Sequence, residues 1–324
     1  MSISAQVAEN LVVSLLGEGG WQCRPFGAGK FSETFSVDDD RGGQYVLRVA
    51  PPDTVRQLFY EYRMMRQEPA IHRRLLAETS VPVPKIVASD FSRNLIDRDF
   101  LIMPLLPGSP LSTAQLNRTA YSKALREWGR YVAEIHTLTD PDYHFGYLGE
   151  HCCMSAHSSW RSAFTDMFQR ELQDVLACGV YTQNMVDDSS KLLESNASFF
   201  DCCKYPRLCH GDLWVTNLLV DTGGDVTGLI DFDRACWGDE EWDLAIAEYC
   251  GITRPDFWEG YGRFVDTSSG GAAIRRFFYL LYEHQKYIVI SMSSRRSDPE
   301  GARRYARECL AAMEGFRRTG RPLF

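Results

Sequence analysis

Apolar residues recur every three or four positions over residues 4–16, where Val7, Leu11, Val12 and Leu15 form one stripe, and this spacing predicts a helix. The period then shortens. Residues 21–26, 34–37 and 44–49 read as strands, separated by a glycine-rich turn at 27–32 and a polar turn at 38–43. Together they predict a small antiparallel sheet. Residues 54–79 return to a charged helical pattern interrupted by Pro69, which predicts two helices or one kinked helix. An extended stretch at 85–90 and a strand at 99–106 follow, and the Pro-Gly-Ser-Pro run at 107–110 breaks the pattern. Beyond it the chain is mostly helical. Leu125, Trp128, Tyr131, Val132, Ile135 and Leu138 share one face, and further helices are expected at 159–176, 185–200, 240–250, 255–264, 272–292 and 299–318. This is an α+β pattern: a small N-terminal antiparallel sheet unit, residues 1–106, and a larger, mainly helical unit, residues 107–324.

One stretch, residues 208–243, departs from the helical pattern. It opens with His210-Gly211-Asp212, places Asn217 five residues after Asp212, and continues as two apolar runs split by Asp221-Thr222-Gly223-Gly224-Asp225. The second run ends on Asp231. A hairpin here brings the oxygen-bearing side chains of Asp212, Asn217 and Asp231 together, the set that a Mg²⁺-phosphate site uses. Phosphoryl transfer asks mainly for positioning and charge neutralisation, and His-x-Asp-x-x-x-x-Asn followed by a strand-end Asp supplies a base and metal ligands. The glycine loop is less specific. Lys30 is followed by Phe31 rather than Ser or Thr, so it is not a Walker A motif, and the third glycine of a dinucleotide fingerprint is missing.

Composition narrows the classes. The 324 residues suffice for one large or two modest domains, and a net charge of −8 argues against a nucleic-acid partner. That charge accommodates a cationic small molecule, though it equally serves solubility. The ten cysteines include two adjacent pairs and no CxxC spacing, which suits neither zinc nor ordinary disulfides and predicts reduced thiols in the cytoplasm. No run is long and apolar enough to predict a membrane span. Asp239, Glu240, Glu241, Glu248, Asp256 and Glu259 concentrate acid beyond the hairpin, as a substrate-attracting rim or a solvated face.

The chain resembles the aminoglycoside phosphotransferase family, within the protein-kinase-like fold, in HGDLWVTN at 210–217, LIDFD at 229–233 and GDEEWDLA at 238–245. Upstream, the glycine loop, VLRV at 46–49, the helix with Glu68, VPVPKI at 81–86 and FLIMPLLPG at 100–108 match as well. The HGDLW wording and the run after Gly238 are also similar to fructosamine kinases of the same superfamily. The resemblance implies a bilobal protein-kinase-like fold with ATP or GTP in the cleft and a small hydroxylated acceptor beside it. It implies Asp212 as catalytic base, Asn217 and Asp231 as Mg²⁺ ligands, and a nucleotide site from Gly27, Gly29, Lys30, Arg48, Glu68 and the strand residues Leu101, Met103 and Leu105. His210 is expected to orient the loop, and Asp243 to cap or anchor a helix behind the site. Arg48 departs from the family, whose strand cation is usually Lys; Arg keeps the charge and adds a bidentate fork. The expected activity is phosphorylation of an aminoglycoside-type antibiotic, a resistance function. The alternatives are a metabolic kinase for a ketosamine, sugar or amino alcohol, and a non-catalytic nucleotide-binding protein, which Arg48 favours.

Overall fold

The structure, a computed structural model, describes residues 2–27, 31–293 and 296–321. Helix α1 (Ala5–Leu16) starts where the Ser4 hydroxyl accepts the Val7 backbone N–H at 3.2 Å. Its stripe of Ala8, Leu11 and Val12 packs on a five-stranded sheet built from β1 (Gln22–Pro25), β2 (Glu33–Asp38), β3 (Gln44–Val49), β4 (Ala88–Asp90) and β5 (Phe100–Pro104). The strands run antiparallel in the order β1-β2-β3-β5-β4. Alternation decides which way each side chain points. Phe35, Val37, Leu47 and Val49 join the core under α1, so Arg48, between the last two, is turned to the opposite face.

The segment between β3 and the next helix corrects the sequence reading. Residues 53–63 form turns rather than helix; a single 3-10 turn, Met64–Gln67, precedes α2 (Glu68–Glu78). Pro69 starts α2 instead of interrupting it, because the first helical turn needs no N–H from that position. Leu58 and Tyr60, in the turns, are fully buried in the core of the helical unit rather than in the sheet unit.

The Pro-Gly-Ser-Pro break also does structural service. Its β6 (Ser109–Pro110) pairs with the hairpin further on, and α3 (Arg118–Ile135), α4 (Trp160–Ala177) and α5 (Gln183–Glu194) follow. The helix expected to reach residue 200 stops at Glu194, where Asn196 folds back to donate to the Leu192 carbonyl. Strand β7 (Arg207–Cys209) leads into the loop of interest. The expected hairpin is β8 (Leu218–Val220) with β9 (Val226–Leu229), and β10 (Cys236–Gly238) returns to pair with β7. Helices α6 (Glu240–Tyr249), α7 (Pro255–Tyr261), α8 (Gly270–Met292) and α9 (Pro299–Thr319) complete the chain. The result is a bilobal α+β fold, a small antiparallel sheet lobe beside a larger helical one. Helix α8 is the centre of the helical lobe, with Phe277, Phe278, Tyr279, Leu281 and Tyr282 buried on several sides.

Candidate active site

The loop after β7 is fixed by a carboxylate behind it. Asp243, fully buried on α6, accepts the backbone N–H groups of His210 at 2.6 Å and Gly211 at 2.8 Å, and meets His136 Nε2 at 3.2 Å. His136 in turn contacts the Tyr261 hydroxyl at 2.9 Å. Gly211 takes φ +76°, and a Cβ there would press on the Arg234 carbonyl. His210 closes the loop from inside: its Nδ1 accepts the Asp212 N–H at 3.2 Å, which leaves Nε2 to donate to the Ile230 carbonyl at 3.1 Å. His210 thus lies where it orients the loop, whereas Asp243, expected to cap or anchor a helix, holds the loop backbone itself.

This frame presents the Asp212 side chain with each oxygen engaged. Asn217 Nδ2 donates to Oδ2 at 3.0 Å and to the Asp212 carbonyl at 2.9 Å; Arg234 donates to Oδ1 at 3.1 Å, and Lys286 Nζ lies 3.9 Å away. Burial opposes ionisation, but the charges of Arg234 and Lys286 outweigh it and hold the carboxyl below its usual range. Asp212 is therefore a charged acceptor, suited to take a proton from a hydroxyl. Because the amide nitrogen of Asn217 is spent on Asp212, its free atom is the oxygen Oδ1.

Across the cleft, Arg48 is the hub. Its guanidinium meets Glu68 at 2.6 Å, Asp231 at 2.8 Å and Asp233 at 3.1 Å. The Gln67 amide, adjacent to Glu68, donates to the Asp233 carbonyl, so the start of α2 is tied to the end of the hairpin. Three carboxylates around one cation crowd one another. Burial, with Asp231 adding to it and Arg48 resisting, pushes Glu68 up to about 7; burial and the neighbouring Asp231 raise Asp233 well above the usual carboxylate range. Asp231 itself sits at φ +73°, a left-handed conformation that costs a non-glycine residue energy, and its side chain remains 38% exposed. On this segment Glu68 pairs with Arg48, while Glu61 lies in the turn with its carboxylate accepting the Leu58 N–H.

The other residues expected at the nucleotide are less gathered. Gly27 lies two residues beyond β1 at φ +69°, and Gly29 and Lys30 lie outside the described residues. Leu101 is flanked by β3 and β4 with Arg48 and Ser89 opposite it, so its backbone faces strands on both sides; Met103 faces Val46, and Leu105 donates to the Gln44 carbonyl at 2.9 Å. The hard-oxygen set of Asn217 Oδ1 and the half-open Asp231 carboxylate fits Mg²⁺.

Three participants were not legible as such from the motifs: Arg234, Lys286 and Tyr60. Arg234 donates to the Tyr60 hydroxyl at 2.7 Å as well as to Asp212. The available signal was a lone cation within an aromatic-rich run, Arg234 in DRACW and Lys286 in α8, since a buried cation requires an internal acid. Every acid of the rim is paired, six carboxylates sharing four arginines. Asp239 and Glu241 meet Arg275, Glu240 meets Arg263, Glu248 meets Arg276, and Asp256 and Glu259 both meet Arg126.

Comparison with known proteins fits this geometry. Residues 22–278 match the family model described as the phosphotransferase enzyme family. A "Probable ketoamine kinase" of Vibrio parahaemolyticus is 28% identical over 241 residues, 72% of this chain and 74% of the other. A chloroplastic protein-ribulosamine 3-kinase of Oryza sativa subsp. japonica is 26% identical over 177 residues, 52% of this chain and 50% of its own. Among solved structures, a thermostable aminoglycoside phosphotransferase mutant in ternary complex with AMP-PNP and hygromycin B superposes with a TM-score of 0.65 at 19% identity, covering 94% of this chain and 97% of the other. A candidate fructosamine-3-kinase from Thermobifida fusca gives 0.63 at 20% identity, covering 96% of this chain and all of its own. At these identities the structural likeness is one of fold.

Proposed function

We propose a function from the premise that this chain, which belongs to the phosphotransferase enzyme family, is a small-molecule kinase whose acceptor is a ketosamine, a sugar joined to an amine. The ketosamine reading was the alternative at the level of sequence; the relatives named as ketoamine and ribulosamine kinases support it over an aminoglycoside. The one observation that carries the catalytic part is Asp212, held charged by Arg234 and Lys286 on the same loop as Asn217.

Asp212 accepts the proton of an acceptor hydroxyl as its oxygen bonds to the γ-phosphorus of the nucleotide and the bond to the leaving diphosphate breaks. Asn217 and Asp231 hold Mg²⁺, which supplies charge neutralisation for the phosphates. Arg48, steadied by Glu68, clamps the non-transferring phosphates from the sheet lobe. Gly27, Gly29 and Lys30 are assigned to the phosphates on their sequence motif, and Leu101 and Met103 of β5 with the Leu105 that follows it to the nucleotide base. Residues 1–106 serve as the nucleotide lobe and residues 107–324 as the acceptor lobe. The ten cysteines are free thiols, which supports a cytoplasmic setting. Among the described residues no helix is long and apolar enough to cross a membrane.

The test is phosphate transfer from Mg²⁺-ATP and Mg²⁺-GTP to a panel of fructose- and ribulose-derived ketosamines, amino alcohols, plain sugars and aminoglycosides. Turnover concentrated on the ketosamines is expected. Preference for aminoglycosides would restore the resistance reading, and thermal stabilisation by nucleotide with no turnover on any acceptor would leave a non-catalytic binder.

A further inference from the structure

The turn at residues 58–61 belongs by sequence to the sheet lobe, yet it is seated in the helical one. It closes on itself: Glu61 N–H donates to the Leu58 carbonyl at 2.9 Å and the Glu61 carboxylate accepts the Leu58 N–H at 2.9 Å. Asp174 on α4 holds it from outside, accepting the Phe59 N–H at 2.7 Å. At its tip Tyr60, fully buried, stacks on Tyr147 with ring centres 4.9 Å apart and planes 18° apart. The Arg234 guanidinium lies 5.1 Å from the Tyr60 ring centre and donates one arm to the Tyr60 hydroxyl at 2.7 Å; the other arm is the one on Asp212. A guanidinium is planar, so fixing one arm fixes the direction of the other.

We propose that Tyr60 is a positioning residue for phosphoryl transfer: its hydroxyl sets the plane of Arg234, and Arg234 sets the orientation of the Asp212 carboxylate. This rests on the kinase reading above. The sheet lobe thereby touches the base as well as the phosphates, since the same connection leaves β3 just after Arg48 and enters α2 at Glu68. Without the Tyr60 hydroxyl, the arm of Arg234 is free to turn toward Glu283, whose carboxylate is 3.9 Å away, and Asp212 loses its fixed partner. Misplacing a base by a fraction of an ångström slows the chemical step while leaving substrate contacts intact.

Tyr60→Phe removes the hydroxyl and retains the stacked ring. The expected result is a fall in kcat of about tenfold, comparable to losing one hydrogen bond to a charged group. Both KM values should stay within about twofold and the melting temperature should be nearly unchanged. In an Arg234→Met background the same change should add nothing, because the relay is already cut. Unaltered kcat in Tyr60→Phe, or full additivity with Arg234→Met, would overturn the assignment. Tyr60→Leu, which also removes the stack, should match Tyr60→Phe in kcat and lose melting temperature; if kcat tracks melting temperature across the two variants, the role is structural only. Reading the variants on Mg²⁺-ATP hydrolysis as well as on acceptor turnover separates the two hypotheses. A wild-type protein that hydrolyses nucleotide but phosphorylates no ketosamine refutes the acceptor class and leaves the Tyr60 comparison intact.

Discussion

Replacing Asp212 by Asn keeps the shape that Asn217 and Arg234 surround and removes the charge they hold. Transfer should fall by about 10²- to 10⁴-fold, the usual share of a general base, with nucleotide binding by calorimetry largely retained. Glu68 makes a different statement. Its carboxyl is raised from 4.5 to about 7 by burial, so the folded chain binds that proton more tightly than the unfolded chain does. The stabilisation is complete below the unfolded value of 4.5 and is lost as pH rises through about 7. Glu68→Gln, neutral at every pH, should flatten the decline of melting temperature over that interval; a slope equal to wild type would show that another group carries it. The Arg48–Glu68 pair forms with the ionised carboxylate, so the pH range that lowers stability is also the one that completes the clamp.

At the scale of elements, the clearest demand is where α3 crosses α7. A Cβ on Gly129 would overlap the Phe257 carbonyl, and one on Gly260 the Arg126 carbonyl. The two backbones meet with no side chain between them. Alanine normally favours a helix over glycine by about 1 kcal/mol, yet overpacking costs about 1–3 kcal/mol, and a carbonyl has no rotamer with which to yield. Gly129→Ala and Gly260→Ala should both lower the denaturant midpoint; a rise at either position would mean the helices can separate freely. The helices themselves were legible because their apolar period is long and regular, as in α3 and α8. The 53–63 turns were not. Leu58 and Tyr60 are two apart, as on one face of a strand, and only their burial in the other lobe explains them. Pro69 misled for a related reason: a proline opening a helix and a proline interrupting one look alike until the first turn is located.

For the molecule as a whole, the candidate site was legible to the extent that its residues lie close together in sequence. Asp212, Asn217 and Asp231 share one loop and hairpin, so their proximity could be read from spacing. Arg234, Lys286 and Tyr60 come from three elements, and their convergence is a property of the tertiary fold. The acidic stretch from Asp239 to Glu259 was readable as charge but not as pairing, since Arg126, Arg263, Arg275 and Arg276 reach it from α3, α8 and the α7–α8 connection.

The Arg48 hub has one more consequence. With Glu68, Asp231 and Asp233 already around it, Arg48, if it receives phosphate as proposed, carries its own built-in competitor, tethered at high effective concentration. Nucleotide affinity is then an exchange constant, diminished by the fraction of time the internal carboxylates hold the guanidinium. Asp233→Ala removes one of these contacts whatever the protonation state of Asp233, and leaves the backbone carbonyl that meets Gln67 in place. It should tighten nucleotide binding several-fold in titration calorimetry and, by the same token, slow the departure of the spent diphosphate, so that turnover becomes limited by release.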